Sequence, residues 1–278
     1  AEFDAKWPGR YEVIVVDDGS KDDTVQKTEQ LLANTYPQLK EKVSVQRMPA
    51  NGGKGAALKM GVAAANGDYI LTLDADMSTK PTDLLAWEKR EKNLFDGSEA
   101  VYIGSRKHED GDVQALKSRR FIGGIFNGVV QLFTTLNLTD TQCGFKLYPA
   151  NVAKDLFGNM QSTGWAHDVE LLYQADLNGV RIVEMPVTWV NMPESKVNVV
   201  KDSIKMFFGV LTISFRTWLF NTFRHPFSLS ADAPADYKAR VRGRAAGRRS
   251  SRAGHPAGPR FGRSGRGSGP RRRRRRRR

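Results

Sequence analysis

The chain has 278 residues, 40% of them hydrophobic, a single cysteine and a formal net charge of +14. That length and composition suffice for a proper core in one large domain or two small ones, and one cysteine excludes an intrachain disulfide, so nothing demands an oxidising compartment. The charge does not make the whole chain a nucleic-acid or membrane binder: residues 225–278 hold 17 Arg and one Lys against Asp232 and Asp236, or +16, so residues 1–224 carry +14 less +16, or −2.

The chain starts at Ala1 without a signal peptide and is in a strand soon after Tyr11, so its true beginning is expected upstream. "YEVIVVD" (11–17) reads as a continuous apolar strand, and Asp22 or Asp23 can cap a helix through "TVQKTEQLLANTY". "VSVQR" is a second strand, "KGAALKMGVAAA" a helix, "DYILTLD" a third strand, and "TDLLAWEKREKNLF" a helix with Pro81 near its start. Strands and helices that take turns, with apolar strands of this length, predict a largely parallel sheet covered on both faces. Ligands of such sheets bind beyond the carboxyl ends of the strands, where Asp17, Asp18, Asp74 and Asp76 fall.

Each of these loops has a plain reading beside a chemical one. "VVDDGSKDDT" forms a turn and cap at Gly19, Ser20, Asp22 and Asp23, while Asp17 or Asp18 at the strand end can accept hydrogen bonds from a base or ribose. In "NGGKGAALKMG" the glycines at 52, 53 and 55 permit close backbone approach, the helix start offers N–H groups to an anion, and Lys54 adds charge. It matches neither the dinucleotide fingerprint nor a P-loop. In "LTLDADMS", Asp74 and Asp76 are two apart, so in an extended chain both carboxylates point to one side and can share a hard cation, magnesium or manganese; the plain alternative is a solvated turn.

In this order and at these distances, the three motifs resemble the nucleotide-sugar half of inverting family-two glycosyltransferases. "GSRKH", "TDTQCGFKLY", "WAHDVELLYQA" and "VTWVNMPESKV" are similar to the polyprenyl-phosphate branch, above all to dolichyl-phosphate beta-glucosyltransferases. The resemblance covers roughly residues 9–222. It implies a Rossmann-like glycosyltransferase type A fold, α/β with a mostly parallel central sheet, whose first strand would precede Ala1. A sheet short of that strand is expected to leave an edge exposed, with weak activity or poor solubility as the result.

The implied reaction is glucose transfer from UDP-glucose to dolichyl phosphate, with magnesium or manganese as cofactor, at the cytosolic face of the endoplasmic reticulum membrane; the family's anchoring segment is expected N-terminal to Ala1, outside the given sequence. The resemblance assigns Asp18 to the uridine, Asp17 beside it to the donor site, Asp74 to the ribose or metal and Asp76 to the metal. Lys54 is placed near the diphosphate, Arg106, Ser195 and Lys196 at phosphate groups, and Asp140 at the acceptor-side catalytic position. A phosphate nucleophile has a second pKa of about 6 and is ionised at neutral pH, so Asp140 is expected to orient groups or balance charge rather than remove a proton. His167 is expected to cap or pack, Asp168 and Glu170 to touch the site or its loops, and Cys143 to be a small buried residue.

Residues 121–138 are uncharged for 18 residues but too polar for a good spanning helix, and 198–220 suits either a helix in the membrane interface or a core helix over the sheet. Residues 1–224 are thus expected to be the catalytic domain, and the Gly-, Ser-, Pro- and Arg-rich 225–278 a disordered tail without a specific nucleic-acid role. The rival readings are a dolichyl-phosphate mannosyltransferase using GDP-mannose, a sugar-nucleotide pyrophosphorylase, and RNA binding through the tail.

Overall fold

The computed structural model describes residues 2–7, 10–114, 126–134, 136–190 and 199–223. Ser195, Lys196 and the tail 225–278 lie outside the described residues. In chain order the elements are α1 (Glu2–Lys6), β1 (Val13–Asp17), α2 (Thr24–Asn34), β2 (Val43–Arg47), α3 (Lys54–Ala64), β3 (Tyr69–Thr72), α4 (Asp83–Arg90), β4 (Ala100–Ser105) and β5 (Asp112–Gln114). There follow α5 (126–133), β6 (Lys146–Pro149), α6 (Ala150–Asn159), α7 (His167–Leu177), β7 (Arg181–Pro186), β8 (Thr188–Val190) and α8 (Val199–Phe223).

The central sheet has the order β3-β6-β4-β7, β1 pairs in parallel with β2, and β5 pairs in parallel with β8. β4 and β7 are parallel, and β3 and β4 are both antiparallel to β6. β3, β4 and β7 therefore share one direction and β6 alone opposes them, a reversal inside the otherwise parallel arrangement. Among the described residues no ladder joins β1 to β3. The two are tied instead by Glu12, whose carboxylate accepts from the backbone N–H of Asn66 (2.6 Å) and Gly67 (3.2 Å). Val13 and Val15, on this apolar strand, remain 42% and 36% exposed.

Period-two alternation divides the core. On β4, Val101 and Ile103 enter a cluster with Val62, Tyr148, Val152, Val169 and Leu172 beneath α3, α6 and α7. Ala100 and Tyr102 enter a second cluster with Leu84, Trp87, Phe145 and Leu147 beneath α4. Trp87 is 1% exposed and its indole N–H donates to the Pro186 carbonyl at 2.7 Å, so a large ring is buried without an orphaned donor.

Of the elements expected from the pattern, α2 ends at Asn34 rather than in the following "TY", and α4 ends at Arg90, short of Phe95. Asp23 occupies the N-cap of α2 without a side-chain bond, while the Asp22 carboxylate accepts from the Thr24 N–H at 3.2 Å. α8 turns Val210, Ile213 and Thr217 into the fold and leaves Ile204, Phe208, Phe215 and Leu219 exposed on the opposite face. No helix among the described residues is long and apolar enough to cross a membrane.

Candidate active site

The site is built where β1, β3 and β4 end. Asp17 closes β1 and is buried; its carboxylate accepts from the Ser20 N–H at 3.1 Å, with Arg47 Nε 3.7 Å away. Asp18 turns toward the glycine loop. Its Oδ1 accepts from the Gly52 N–H (2.6 Å), and its Oδ2 from the Gly53 N–H (2.9 Å) and the Asn51 side-chain amide (3.1 Å). These charge-assisted bonds make Asp18 the brace of the loop.

The loop's glycines serve the chain itself. Gly53 sits at φ 92°, and a Cβ there would come 2.7 Å from the Thr163 carbonyl oxygen. That same oxygen accepts from the N–H groups of Gly55 (2.7 Å) and Ala56 (3.3 Å), the first turn of α3. The N–H groups read from sequence as an anion cradle are thus taken by a carbonyl more than 100 residues away. Lys54, the first residue of α3, instead carries the positive charge: its ammonium lies 2.6 Å from Asp74 Oδ1 and 5.5 Å from the Trp165 ring centroid. Burial works to discharge Lys54, but the charges of Asp168 and Asp74 outweigh it and raise its pKa.

β3 stops at Thr72, and Asp74–Met77 is a turn in which the Met77 N–H donates to the Asp74 carbonyl at 3.3 Å. Met77 adopts φ 55°. The two aspartates are therefore not in extended chain, and the argument that alternation brings them to one side does not apply. Asp74 packs against Gly144, where any Cβ would collide with its carboxylate. Asp76 is exposed and accepts from the Ser78 N–H at 2.9 Å.

Arg106 follows β4 and Asp140 lies in the loop before β6. The structure brings them into a two-pronged ion pair: Nε to Oδ2 at 2.7 Å and a terminal nitrogen to Oδ1 at 2.9 Å. The backbone N–H groups of Arg106 (3.1 Å) and Gln142 (3.1 Å) also donate to Asp140. Burial would raise the Asp140 carboxyl, but Arg106 and these bonds hold it below the usual carboxylate range. Glu184 on β7 fixes the segment, accepting from the N–H groups of Thr139 and Asp140, both at 3.0 Å. The Arg106 guanidinium lies 5.7 Å from the Trp189 ring on β8.

Beneath Asp74 and Lys54 lies a second charged layer. Lys146 is fully buried and donates to the Cys143 carbonyl and to Asp168 Oδ1, both at 2.5 Å, pinning the Cys143–Gly144 backbone. His167 opens α7 fully buried, its Nδ1 2.8 Å from the Gly164 carbonyl, and burial lowers its pKa. Burial also pushes the Cys143 thiol up to about 11, which makes it a poor nucleophile.

The sequence reading passed over Lys146, Glu184, Trp165 and Trp189. For Lys146 the signal was its place in "TDTQCGFKLY", among residues that otherwise read as buried strand; for Glu184 it was a lone acid within the strand "RIVEMP". The two tryptophans carried no such signal.

With this geometry the chain can be set beside known proteins. The model of the family described as glycosyl transferase family 2 matches residues 4–157. The dolichyl-phosphate beta-glucosyltransferase of Homo sapiens is 39% identical over 195 residues, 67% of this chain and 58% of that protein. That of Dictyostelium discoideum is 34% identical over 211 residues, 74% of this chain and 63% of that protein. The chain thus spans about six-tenths of the length of these curated relatives. Among solved structures, glucosyl-3-phosphoglycerate synthase from Mycobacterium tuberculosis in complex with uridine diphosphate aligns at TM-score 0.51 and 17% identity, covering 73% of this chain and 68% of that one. Mannosyl-3-phosphoglycerate synthase from Rubrobacter xylanophilus aligns at TM-score 0.50 and 18% identity, covering 82% and 73%. The two structures share the α/β fold that the alternating strands and helices predicted, and the matched stretch runs from α1 into α6 through the glycine loop, Asp74, Asp76 and the Arg106–Asp140 pair: the chain belongs to glycosyl transferase family 2.

Proposed function

We propose that the chain transfers glucose from UDP-glucose to dolichyl phosphate, giving dolichyl beta-glucosyl phosphate and UDP. The glucosyl group and the dolichyl-phosphate acceptor are suggested by the names of the relatives it resembles, and UDP as the sugar carrier is what the motif resemblance implies. The observation that carries the chemistry is the saturation of Asp140: four donors converge on its two oxygens, so it has little capacity left to take a proton. A transferase acting on a sugar or lipid hydroxyl needs a base there. One acting on a phosphate, ionised above a pKa of about 6, does not.

The residues fit a divalent cation in a limited way. Among the described residues no cluster of three or more acidic, His or Cys side chains could hold a metal alone. Magnesium and manganese sites of the phosphate-binding kind use one or two carboxylates, with waters and substrate phosphates completing the shell. Asp74 and Asp76 would hold the ion. When bound it would offset charge building on the departing UDP. Lys54 lies beside Asp74 and would neutralise a diphosphate oxygen, while Asp18 and the glycine loop give the donor a rigid floor. Arg106, anchored by Asp140, would reduce repulsion between acceptor phosphate and donor diphosphate.

A lipid acceptor calls for a membrane surface, and the exposed face of α8 supports one. Ile204, Phe208, Phe215 and Leu219 follow spacings of four, seven and four, which at 100° per residue form one stripe about 22 Å long. In this reading the bilayer is that of the endoplasmic reticulum and the site faces the cytosol.

The reading is tested by incubating the chain with each sugar nucleotide and dolichyl phosphate in detergent and identifying the lipid product. Glucosyl lipid formed from UDP-glucose is the expected result. Mannosyl lipid from GDP-mannose, or glucose passed only to a hydroxyl acceptor, would replace the reading.

A further inference from the structure

One wall of the site is the loop 161–165 between α6 and α7, and the side chains that hold this loop lie behind it. Glu170 is 1% exposed and accepts from the N–H groups of Gln161 (3.1 Å) and Ser162 (2.7 Å), from the Gln174 side-chain amide (3.2 Å), and from the guanidinium of Arg216 on α8. The other terminal nitrogen of Arg216 donates to the Gln161 side-chain oxygen at 2.7 Å. By sequence Arg216 belongs with the cations of an interface helix, yet it faces the fold.

The loop so clamped reaches the chemistry within three residues of Ser162. Thr163 gives its carbonyl to the first turn of α3, and Trp165 lies under the Lys54 ammonium. Gly53 and Gly55 leave no slack, since a Cβ on either would come 2.7 Å from a loop carbonyl oxygen. A shift of the loop must therefore move the α3 start and the Lys54–Asp74 pair with it.

We propose that Glu170 and Arg216 are positioning residues of the donor site: through the loop 161–165 they fix the first turn of α3 and place Lys54 beside Asp74. The proposal rests on the donor reading above. Removing Arg216 leaves the Glu170 carboxylate buried without its counter-charge, a strongly unfavourable state that opening of the loop toward water relieves.

The test compares the full chain with Arg216→Met, Arg216→Lys and Glu170→Gln at a temperature well below each variant's melting midpoint. Hydrogen exchange at the Gly55 and Ala56 amides is followed alongside UDP-glucose affinity. Arg216→Met and Glu170→Gln are expected to speed exchange at both amides and to weaken donor binding about tenfold, with partial recovery in Arg216→Lys, which keeps the charge but not the fork. A purely structural role would lower the melting midpoint and leave both readouts at their wild-type values, and that result overturns the proposal. Faster exchange with unchanged affinity overturns it as well. If the wild-type chain binds no UDP-glucose while exchange still responds to Arg216, the donor reading is what fails, and the positioning role falls with it.

Discussion

In the proposed reaction Asp140 anchors Arg106 without acting as a base. Its four donors favour the ionised form over burial, so the Arg106 pair should survive into mild acid. The sign follows: a depressed folded-state pKa contributes stability above the unfolded value of about 3.9, and that stability is lost as pH falls through the lower folded value. The acid limb of the rate profile should therefore report the acceptor phosphate near pH 6. Asp140→Asn is expected to lower turnover on the order of 100-fold by misplacing Arg106, while the position of that limb stays the same. Disappearance of the limb in the variant would show that Asp140 titrates as the base.

At the scale of elements, the fold was legible where local pattern and tertiary role agree. The apolar runs of β1, β2 and β3 and their acidic ends could be read directly: Asp17 closes β1, and Asp18 and Asp74 follow β1 and β3 in the loops at their carboxyl ends. The reversed β6 could not, because "KLYP" is four residues long and begins with a buried lysine whose counter-charge, Asp168, lies 22 positions later. The turn at Asp74–Met77 was hidden for another reason: Met77 at φ 55° is not a residue that advertises positive φ. The anion cradle at α3 failed because its occupant, Thr163, has no local signature.

Two predictions belong to this scale. Gly53→Ala meets both positive φ and the Thr163 carbonyl, so it should cost about 1–3 kcal/mol in denaturant unfolding. A cost near zero would mean that the loop is free to move. On α8, Ile204→Ser with Phe208→Ser should change stability by less than about 0.5 kcal/mol each, since both side chains are exposed. The pair should nonetheless reduce sedimentation with anionic lipid vesicles. Equal sedimentation of variant and wild type would remove α8 from the membrane account.

At the scale of the whole molecule, the charge divides the chain into a nearly neutral body and a strongly basic tail, and the family match falls on the body. The central claim concerns that body: UDP-glucose and a divalent ion bind together at the ends of β1 and β3, with Asp74 and Asp76 holding the ion. Melting of the full chain tests it most directly. UDP-glucose with manganese at about 100 times the dissociation constant should add about 2.7 kcal/mol, or about 5–10 °C. Omitting the ion, or introducing Asp76→Ala, should cancel most of the gain. A midpoint that does not move, or one that rises equally with EDTA present, would contradict the account.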